Sequence, residues 1–192
     1  MIKIYGSKMT SAFRCHVLAK EIGLEYEEVS VDLGNPGEEY LKLNPNGKVP
    51  CIVDGDFVLW ESMAITAYLA GKYKPELLGN SIEERALIDQ WSYWAILELQ
   101  PDMFKVVVQI FTPEEKRDMD VIKKGTADMN PKHRILDDYL NGREYMVGDR
   151  FTLADINVGS VAVINRLIGN DLTEFPNLEK WLTMLGKRPS FR

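Results

Sequence analysis

The residues whose types and spacing could do chemistry lie between Asn44 and Ala70, in the run NPNGKVPCIVDGDFVLWESMAITAYLA. Val49-Pro50 precedes an apolar segment, Cys51-Ile52-Val53. Asp54-Gly55-Asp56 is a tight-turn signal, and Phe57-Val58-Leu59-Trp60 reads as the returning strand of a hairpin. A proline costs a ladder least at the start of a strand. If the Val49-Pro50 bond is cis, the chain turns sharply there. The N–H and C=O of Val49 then face outward and can pair with an extended peptide-like ligand, as an added strand would. Glu61-Ser62 opens a helix carrying Met63, Ile65, Ala67, Leu69 and Ala70. Ser62 is expected to cap it, and its first N–H groups, with the helix dipole, attract a carboxylate. Glu61 supplies negative charge for an ammonium group. A small peptide bearing both an amine and a carboxylate fits such a corner.

Other elements must hold this corner in place. Ile2-Lys3-Ile4-Tyr5 reads as a short strand and Gly6 to Thr10 as a loop. A helix follows to about Glu21, with Gly23 as its terminating residue. Ser11, Cys15, Leu18 and Ile22 recur at helical spacing and face the core. Cys15 is therefore read as a buried small apolar residue rather than a nucleophile. His16 falls off that stripe and is expected at a surface or an interface. Glu25 to Leu33 alternates as a strand, with Val29, Val31 and Leu33 on one side. A loop at Gly34 to Gly37 and a short helical turn from Glu38 to Leu43 lead into Asn44. Lys74 to Ser81, with Pro75 and Gly79, reads as a linker.

Beyond it the pattern is helical only. Ile82 to about Phe111 is long and apolar, and Pro101 is expected to kink or break it. Thr112-Pro113 is read as an N-cap followed by a first-turn proline. The helix it opens runs to roughly Leu140, with Gly125 and Pro131 as possible interruptions. After a loop at Asn141 to Arg150, Thr152 and Asp155 form a capping box, with Phe151 placed as a hydrophobic staple. The run FPNLEKWLTMLGKRPSF reads as a further amphipathic helix.

The chain has 192 residues, and its formal net charge of −6 argues against a nucleic-acid surface. No apolar run is long enough to span a membrane. The N-terminus begins as a strand, without the apolar core of a secretion signal. Cys15 and Cys51 make neither a CxxC pair nor a zinc spacing, and a reducing cytoplasm is the expected location. His16 and His133 are far apart in sequence, so a histidine-based metal site is not expected.

The stretch from Asn44 resembles the ligand-binding signature of the glutathione S-transferase superfamily, which runs N-P-x-G-x-V-P, hairpin, then E-S-x-A-I. The resemblance covers nearly the whole chain. It implies a thioredoxin-like glutathione-binding domain at residues 1–73, a linker at 74–81, and an all-α domain at 82–192 that forms a wall of the electrophile site. It also implies that Val49, before a cis Pro50, pairs with the cysteinyl backbone of glutathione, and that Glu61 and Ser62 hold its γ-glutamyl end. Val147-Gly148-Asp149, the capping box and Ile156 are similar to a folding motif of the family. The implied enzyme is a cytosolic detoxifying homodimer, with an active site between the two domains of each subunit. It uses glutathione as co-substrate and needs no metal. The chain stops soon after Phe191, so the extra C-terminal lid helix of larger members is expected to be missing.

Such an enzyme favours the glutathione thiolate, which attacks a small hydrophobic electrophile. Lowering a thiol pKa from about 8.5 by about two units takes roughly 2.7 kcal/mol of preference for the anion. One hydrogen bond to a charged group contributes about 1.5–3 kcal/mol, and a helix N-terminus adds about 0.3–1 kcal/mol. A single hydroxyl at the start of the first helix is sufficient. Members that read Y-G-S-x-M-S-x-x-x-R use the serine. Here Thr10 takes its place, four residues before Arg14, with the neighbouring Ser11 as the alternative. Cysteine, the residue for disulfide exchange, is absent from this position. Threonine can donate the same bond, although its β-branch restricts the rotamer. Tyr5 is the activating type in other classes but sits within the first strand. The loop Gly34 to Tyr40 lacks the basic residue that binds the glycine carboxylate in similar members, and Lys48 is the substitute. Met9, Phe13, Phe104, Val108 and Phe111 are candidates for the electrophile pocket, with plain core as the alternative for each. Two other readings share the resemblance: a glutathione-dependent peroxidase, disulfide reductase or dehalogenase, and a non-catalytic interaction module of the same fold.

Overall fold

The computed structural model describes residues 1–192. It divides into two compact units, Met1–Asn80 together with Pro189–Arg192, and Ser81–Arg188. The first unit runs β1 (Ile2–Tyr5), α1 (Phe13–Glu21), β2 (Tyr26–Val29), α2 (Gly37–Leu43), β3 (Cys51–Asp54), β4 (Phe57–Trp60) and α3 (Ser62–Tyr73). The four strands form one sheet in the order β2-β1-β3-β4. β1 is parallel to β2 and antiparallel to β3, and β4 is antiparallel to β3. This is the thioredoxin-like arrangement expected from the sequence. Side chains alternate across β1: Ile2 and Ile4 are buried and Lys3 is exposed. Ile4 sits opposite Ile52 in the register, and both are fully buried with Leu18, Ile65 and Leu69. α1 and α3 pack on each other.

β2 is shorter than its alternation suggests. Its last partner is Tyr5 opposite Val29. β1 then leaves the sheet at Gly6, and residues 30–33 have no strand to pair with. The end of α1 follows the sequence closely. Gly23, at φ +67, donates its N–H to the Lys20 carbonyl (3.2 Å), and Leu24 donates to the Ala19 carbonyl (2.8 Å). These two bonds satisfy the last carbonyls of the helix. Pro75–Leu78 forms a 3₁₀ turn packed on α3, with Leu77 buried.

The second unit contains α4 (Ile82–Trp94), α5 (Gln100–Phe111), α6 (Met119–Leu140), α7 (Leu153–Ala162), α8 (Ile164–Leu167) and α9 (Pro176–Lys187). Ser81 caps α4, its hydroxyl accepting from the Glu84 N–H at 3.2 Å. The effect expected of Pro101 appears before it, as a wide π turn at Ala95–Leu99. A proline has no N–H for the carbonyl four residues back, which here belongs to Leu97. The wide turn absorbs that defect and leaves Pro101 in the first turn of α5.

Thr112-Pro113 does not open α6. The Thr112 hydroxyl turns back to the Val108 carbonyl at 2.8 Å, and a 3₁₀ turn at Glu114–Lys116 follows. Asp118 is the cap instead, its carboxylate accepting from the N–H groups of Asp120 and Val121 at 3.0 and 3.1 Å. Neither Gly125 nor Pro131 interrupts α6. Gly125 allows close approach to α5, since a Cβ there would sit 2.6 Å from Val106 Cγ2. Around Pro131, the buried Met129, His133 and Leu136 and the ion pair from Lys132 to Asp102 hold the helix in place. Tertiary contacts thus override a local breaker.

Every residue of α7 is buried. Its capping box forms as the sequence predicts. Asp155 Oδ2 accepts from the Thr152 N–H (2.9 Å) and hydroxyl (3.2 Å). Oδ1 accepts from the Met146 N–H (2.9 Å) and Trp181 Nε1 (3.1 Å). Burial pushes the Asp155 carboxyl up to about 6 against the opposing pull of those donors. Phe151 lies beneath the Arg188 guanidinium at 3.8 Å and edge-on to Tyr145 at 6.4 Å. Asp137 of α6 performs a similar service for α9, accepting from the N–H groups of Asn177 (2.7 Å) and Leu178 (3.0 Å).

Candidate functional site

The hairpin register builds the site. Cys51 pairs with Trp60 at the open end of the β3–β4 ladder. Val49 lies two residues before this pair and Ser62 two residues after it, so both emerge at the same end of the hairpin. The Val49-Pro50 bond is cis. The N–H and C=O of Val49 stay outside the backbone pairing of the sheet and its loops. The preceding carbonyl is pinned: Lys48 O accepts from Tyr40 Oη at 2.6 Å and from Asn44 Nδ2 at 2.7 Å. Asn44 is buried, and its Oδ1 accepts from the Asn46 N–H at 3.1 Å. The Lys48 side chain itself is exposed.

Ser62 is not the cap of α3. Glu61 occupies the cap position at φ 76, ψ 114, and Ser62 is the first helical residue. A left-handed conformation at a residue with a side chain costs about 1–3 kcal/mol and persists where its surroundings enforce it. It turns the Ser62 side chain to a different partner: the hydroxyl accepts from Arg14 Nη1 at 3.1 Å. The first N–H groups of α3 therefore have no side-chain cap, and Glu61 is exposed beside them. Arg14 is buried, and burial lowers its pKa to about 10, which leaves it charged at neutral pH. Burial pushes the thiol of Cys15 up to about 12 and that of Cys51 up to about 11. Neither is a thiolate near neutrality, in keeping with the reading of Cys15 as an apolar residue.

The loop after β1 lies against Val49. Gly6 is at φ +112, and a Cβ there would sit 2.8 Å from Val49 Cβ and 3.0 Å from Ala12 Cβ. Only glycine permits this approach. Thr10 donates its hydroxyl proton to the Ser7 carbonyl at 2.7 Å and accepts from the Ala12 N–H at 3.2 Å. Ser11 is half-buried beside it. Both candidate hydroxyls thus precede α1, whose cap position, Ala12, offers no side-chain acceptor.

His16 is not a surface residue. It is 1% exposed, with Nε2 2.8 Å from the Gly6 carbonyl and Nδ1 3.0 Å from Tyr26 Oη. The single-stripe reading fails because α1 is covered on every side: Arg14 to Ala19 are all buried.

The apolar candidates are not core. Met9 is 57% exposed, Phe104 63%, Val108 44% and Phe111 58%. Phe104, Val108 and Phe111 share one face of α5, while Met103 and Val106 point inward. Phe13 is half-buried and meets Phe191 edge-on at 6.4 Å. His, Cys, Asp and Glu side chains gather nowhere in threes.

Comparison with known proteins gives concordant matches. The family described as "Glutathione S-transferase, N-terminal domain" matches residues 2–71, and "Glutathione S-transferase, C-terminal domain" matches residues 99–189. Glutathione S-transferase D7 of Drosophila melanogaster is 31% identical over 188 residues, covering 94% of this chain and 82% of that protein. The glutathione-bound theta class glutathione S-transferase from Xanthomonas axonopodis pv. citri superposes with a TM-score of 0.90 at 34% identity, covering 99% of this chain and 94% of that one. Glutathione S-transferase I from maize, in complex with an atrazine glutathione conjugate, gives a TM-score of 0.89 at 30% identity, covering 98% and 93%.

Proposed function

We propose a function from one premise: this chain belongs to the glutathione S-transferase family. It is a glutathione transferase that joins the thiolate of its co-substrate glutathione to small hydrophobic electrophiles. The observation that carries the reading is the convergence, at one end of the β3–β4 hairpin, of the unpaired Val49 backbone and the uncapped N-terminus of α3.

In this reading the cysteinyl backbone of glutathione adds to Val49 as a short strand, and Pro50 shapes that edge. The γ-glutamyl carboxylate sits on the first N–H groups of α3 and the Ser62 hydroxyl, and its ammonium group faces Glu61. Lys48, exposed on the same approach, meets the glycine carboxylate. Thr10 stabilises the thiolate, and its hydroxyl exchanges the Ser7 carbonyl for the sulfur. Ser11 is the second reading, favoured by a hydroxyl proton not committed to the bond that Thr10 makes. The thiol proton leaves to solvent. The sulfur lone pair then forms the new bond to the electrophile as the leaving group departs with the old bonding pair. The exposed Met9, Phe104, Val108 and Phe111 and the half-buried Phe13 are each proposed electrophile contacts, and Phe104, Val108 and Phe111 share one face of α5.

We further propose a detoxifying cytoplasmic homodimer. Two free buried cysteines suit a reducing compartment. Exposed Phe57, Trp60, Leu87 and Tyr93 give one copy apolar surface to bury against another.

The test is the ultraviolet absorbance of the glutathione thiolate, titrated with the protein across pH. Bound thiol should ionise about two units below its free pKa of about 8.5. Thr10→Ala should abolish the shift. Loss in Ser11→Ala alone would transfer the role to Ser11, and binding without ionisation would overturn the activation mechanism.

A further inference from the structure

His16 touches no proposed ligand position, yet it reaches into the loop that carries the activating hydroxyls. The geometry starts at Gly6. Its N–H donates to the Val29 carbonyl at 2.9 Å. Its missing side chain lets Val49 and Ala12 come within the space a Cβ would fill. Glycine is required for that approach, but it brings a loose backbone: at φ +112 no side chain of its own fixes where its carbonyl points. The Gly6 carbonyl belongs to the peptide group shared with Ser7, and Ser7 O is the acceptor that holds both the N–H of Thr10 (3.1 Å) and its hydroxyl (2.7 Å). Ser7 O belongs to the next peptide along, so a rotation of the peptide between Gly6 and Ser7 reaches the Thr10 anchor through the Ser7 backbone that joins the two.

One side chain opposes that rotation. His16 Nε2 lies 2.8 Å from Gly6 O. A carbonyl only accepts, so this nitrogen carries the proton. In the neutral ring, Nδ1 then accepts from Tyr26 Oη at 3.0 Å. Tyr26 sits on β2 directly beside β1 in the register, and its ring stacks at a tilt on the imidazole, centroids 5.4 Å apart. The tyrosine thus fixes the tautomer and the plane of the imidazole, and the imidazole fixes the peptide.

We propose that His16 is a positioning residue for thiol activation: through its Nε2–H bond to the Gly6 carbonyl it holds the Ser7–Thr10 loop in the orientation that presents the activating hydroxyl. This rests on the glutathione transferase reading of the site. It assigns a role in the reaction to a residue that helical periodicity sends to a surface or an interface.

A pair of isosteric probes tests it. His16→Gln places an amide N–H at the reach of Nε2 and can restore the bond to Gly6 O. His16→Asn has the same chemistry but stops short, at the reach of Nδ1. Thiolate titrations, kcat, KM for glutathione and Tm are measured for both, and for Tyr26→Phe. The Asn variant is expected to have a bound-thiol pKa about one unit higher, which lowers kcat about threefold near pH 7 and about tenfold well below that pKa, with KM for glutathione changed far less. The Gln variant should recover most of that loss at a similar Tm. Tyr26→Phe should fall between them. Equal bound-thiol pKa values in Asn, Gln and wild-type proteins would overturn the proposal. So would a loss in all variants that simply tracks Tm. A wild-type protein that fails to ionise bound glutathione would instead overturn the underlying reading of the site, and that outcome is visible before any variant is made.

Discussion

The buried guanidinium of Arg14 donates to the Ser62 hydroxyl at 3.1 Å, joining α1 to the first residue of α3. Through this bond the helix that follows the loop proposed to activate the thiol is tied to the helix end proposed for the γ-glutamyl carboxylate. The Ser62 hydroxyl is also proposed to bond the γ-glutamyl carboxylate, and a hydrogen bond to a charged group contributes about 1.5–3 kcal/mol. Ser62→Ala should therefore raise KM for glutathione by roughly tenfold or more, with a smaller change in kcat. Steady-state kinetics with glutathione varied at a saturating aryl halide would show the split. An effect confined to kcat would argue against the assigned role of Ser62.

Glu61 offers a test that separates stability from binding. Its left-handed backbone suits glycine, whereas its carboxylate is proposed to face an ammonium group. Glu61→Gly and Glu61→Ala both delete the carboxylate, but only glycine relieves the strain. The glycine variant should be more stable than the alanine variant by about 1 kcal/mol, and both should bind glutathione comparably weakly. Thermal unfolding and titration calorimetry read the two effects separately.

Two buried groups give opposing pH dependences. Asp155 has its folded pKa raised to about 6 by burial. The folded state thus holds this proton more tightly than the unfolded chain, and the contribution to stability is full below about pH 4 and lost as pH rises through 6. His133 is the reverse case. Burial lowers its pKa to about 4, and the neutral ring accepts from Asn165 Nδ2 at 3.1 Å. Its contribution is full above about pH 6.5 and lost as pH falls through 4. Each effect is of the order of 1–3 kcal/mol. The net curve of the wild-type protein can therefore be flat between pH 4 and 6.5. Asp155→Asn should make stability rise with pH across that window, and His133→Gln should make it fall. Urea unfolding at a series of pH values resolves both slopes.

How much of this was legible in the sequence depends on whether a local signal decides the outcome. Asp54-Gly55-Asp56, Gly23 and the pair Thr152 and Asp155 act through their own backbone neighbourhood, and each does what its sequence context implies. Asp118 shows the limit of such signals. It competes with Thr112 to open α6, and both are acceptable caps by composition. His16 was not legible, because a periodic stripe assumes a helix with one wet face, and α1 has none along Arg14 to Ala19. Ser62 was half legible. Its place at the head of α3 followed from the hairpin, but the left-handed turn at Glu61, after which its hydroxyl meets Arg14, leaves no trace in residue type.

Pro189–Arg192 belongs to the first unit although it follows the whole of the second. Ser190 bonds Glu21 at 2.8 Å, Lys20 reaches the Arg192 carbonyl at 2.9 Å, and Phe191 meets Phe13. A ribosome delivers these residues only after every helix of the second unit has been synthesised. The thioredoxin-like unit is thus still missing its closing turn while the helical unit emerges. The order of translation makes the helical unit the first of the two whose residues are all present.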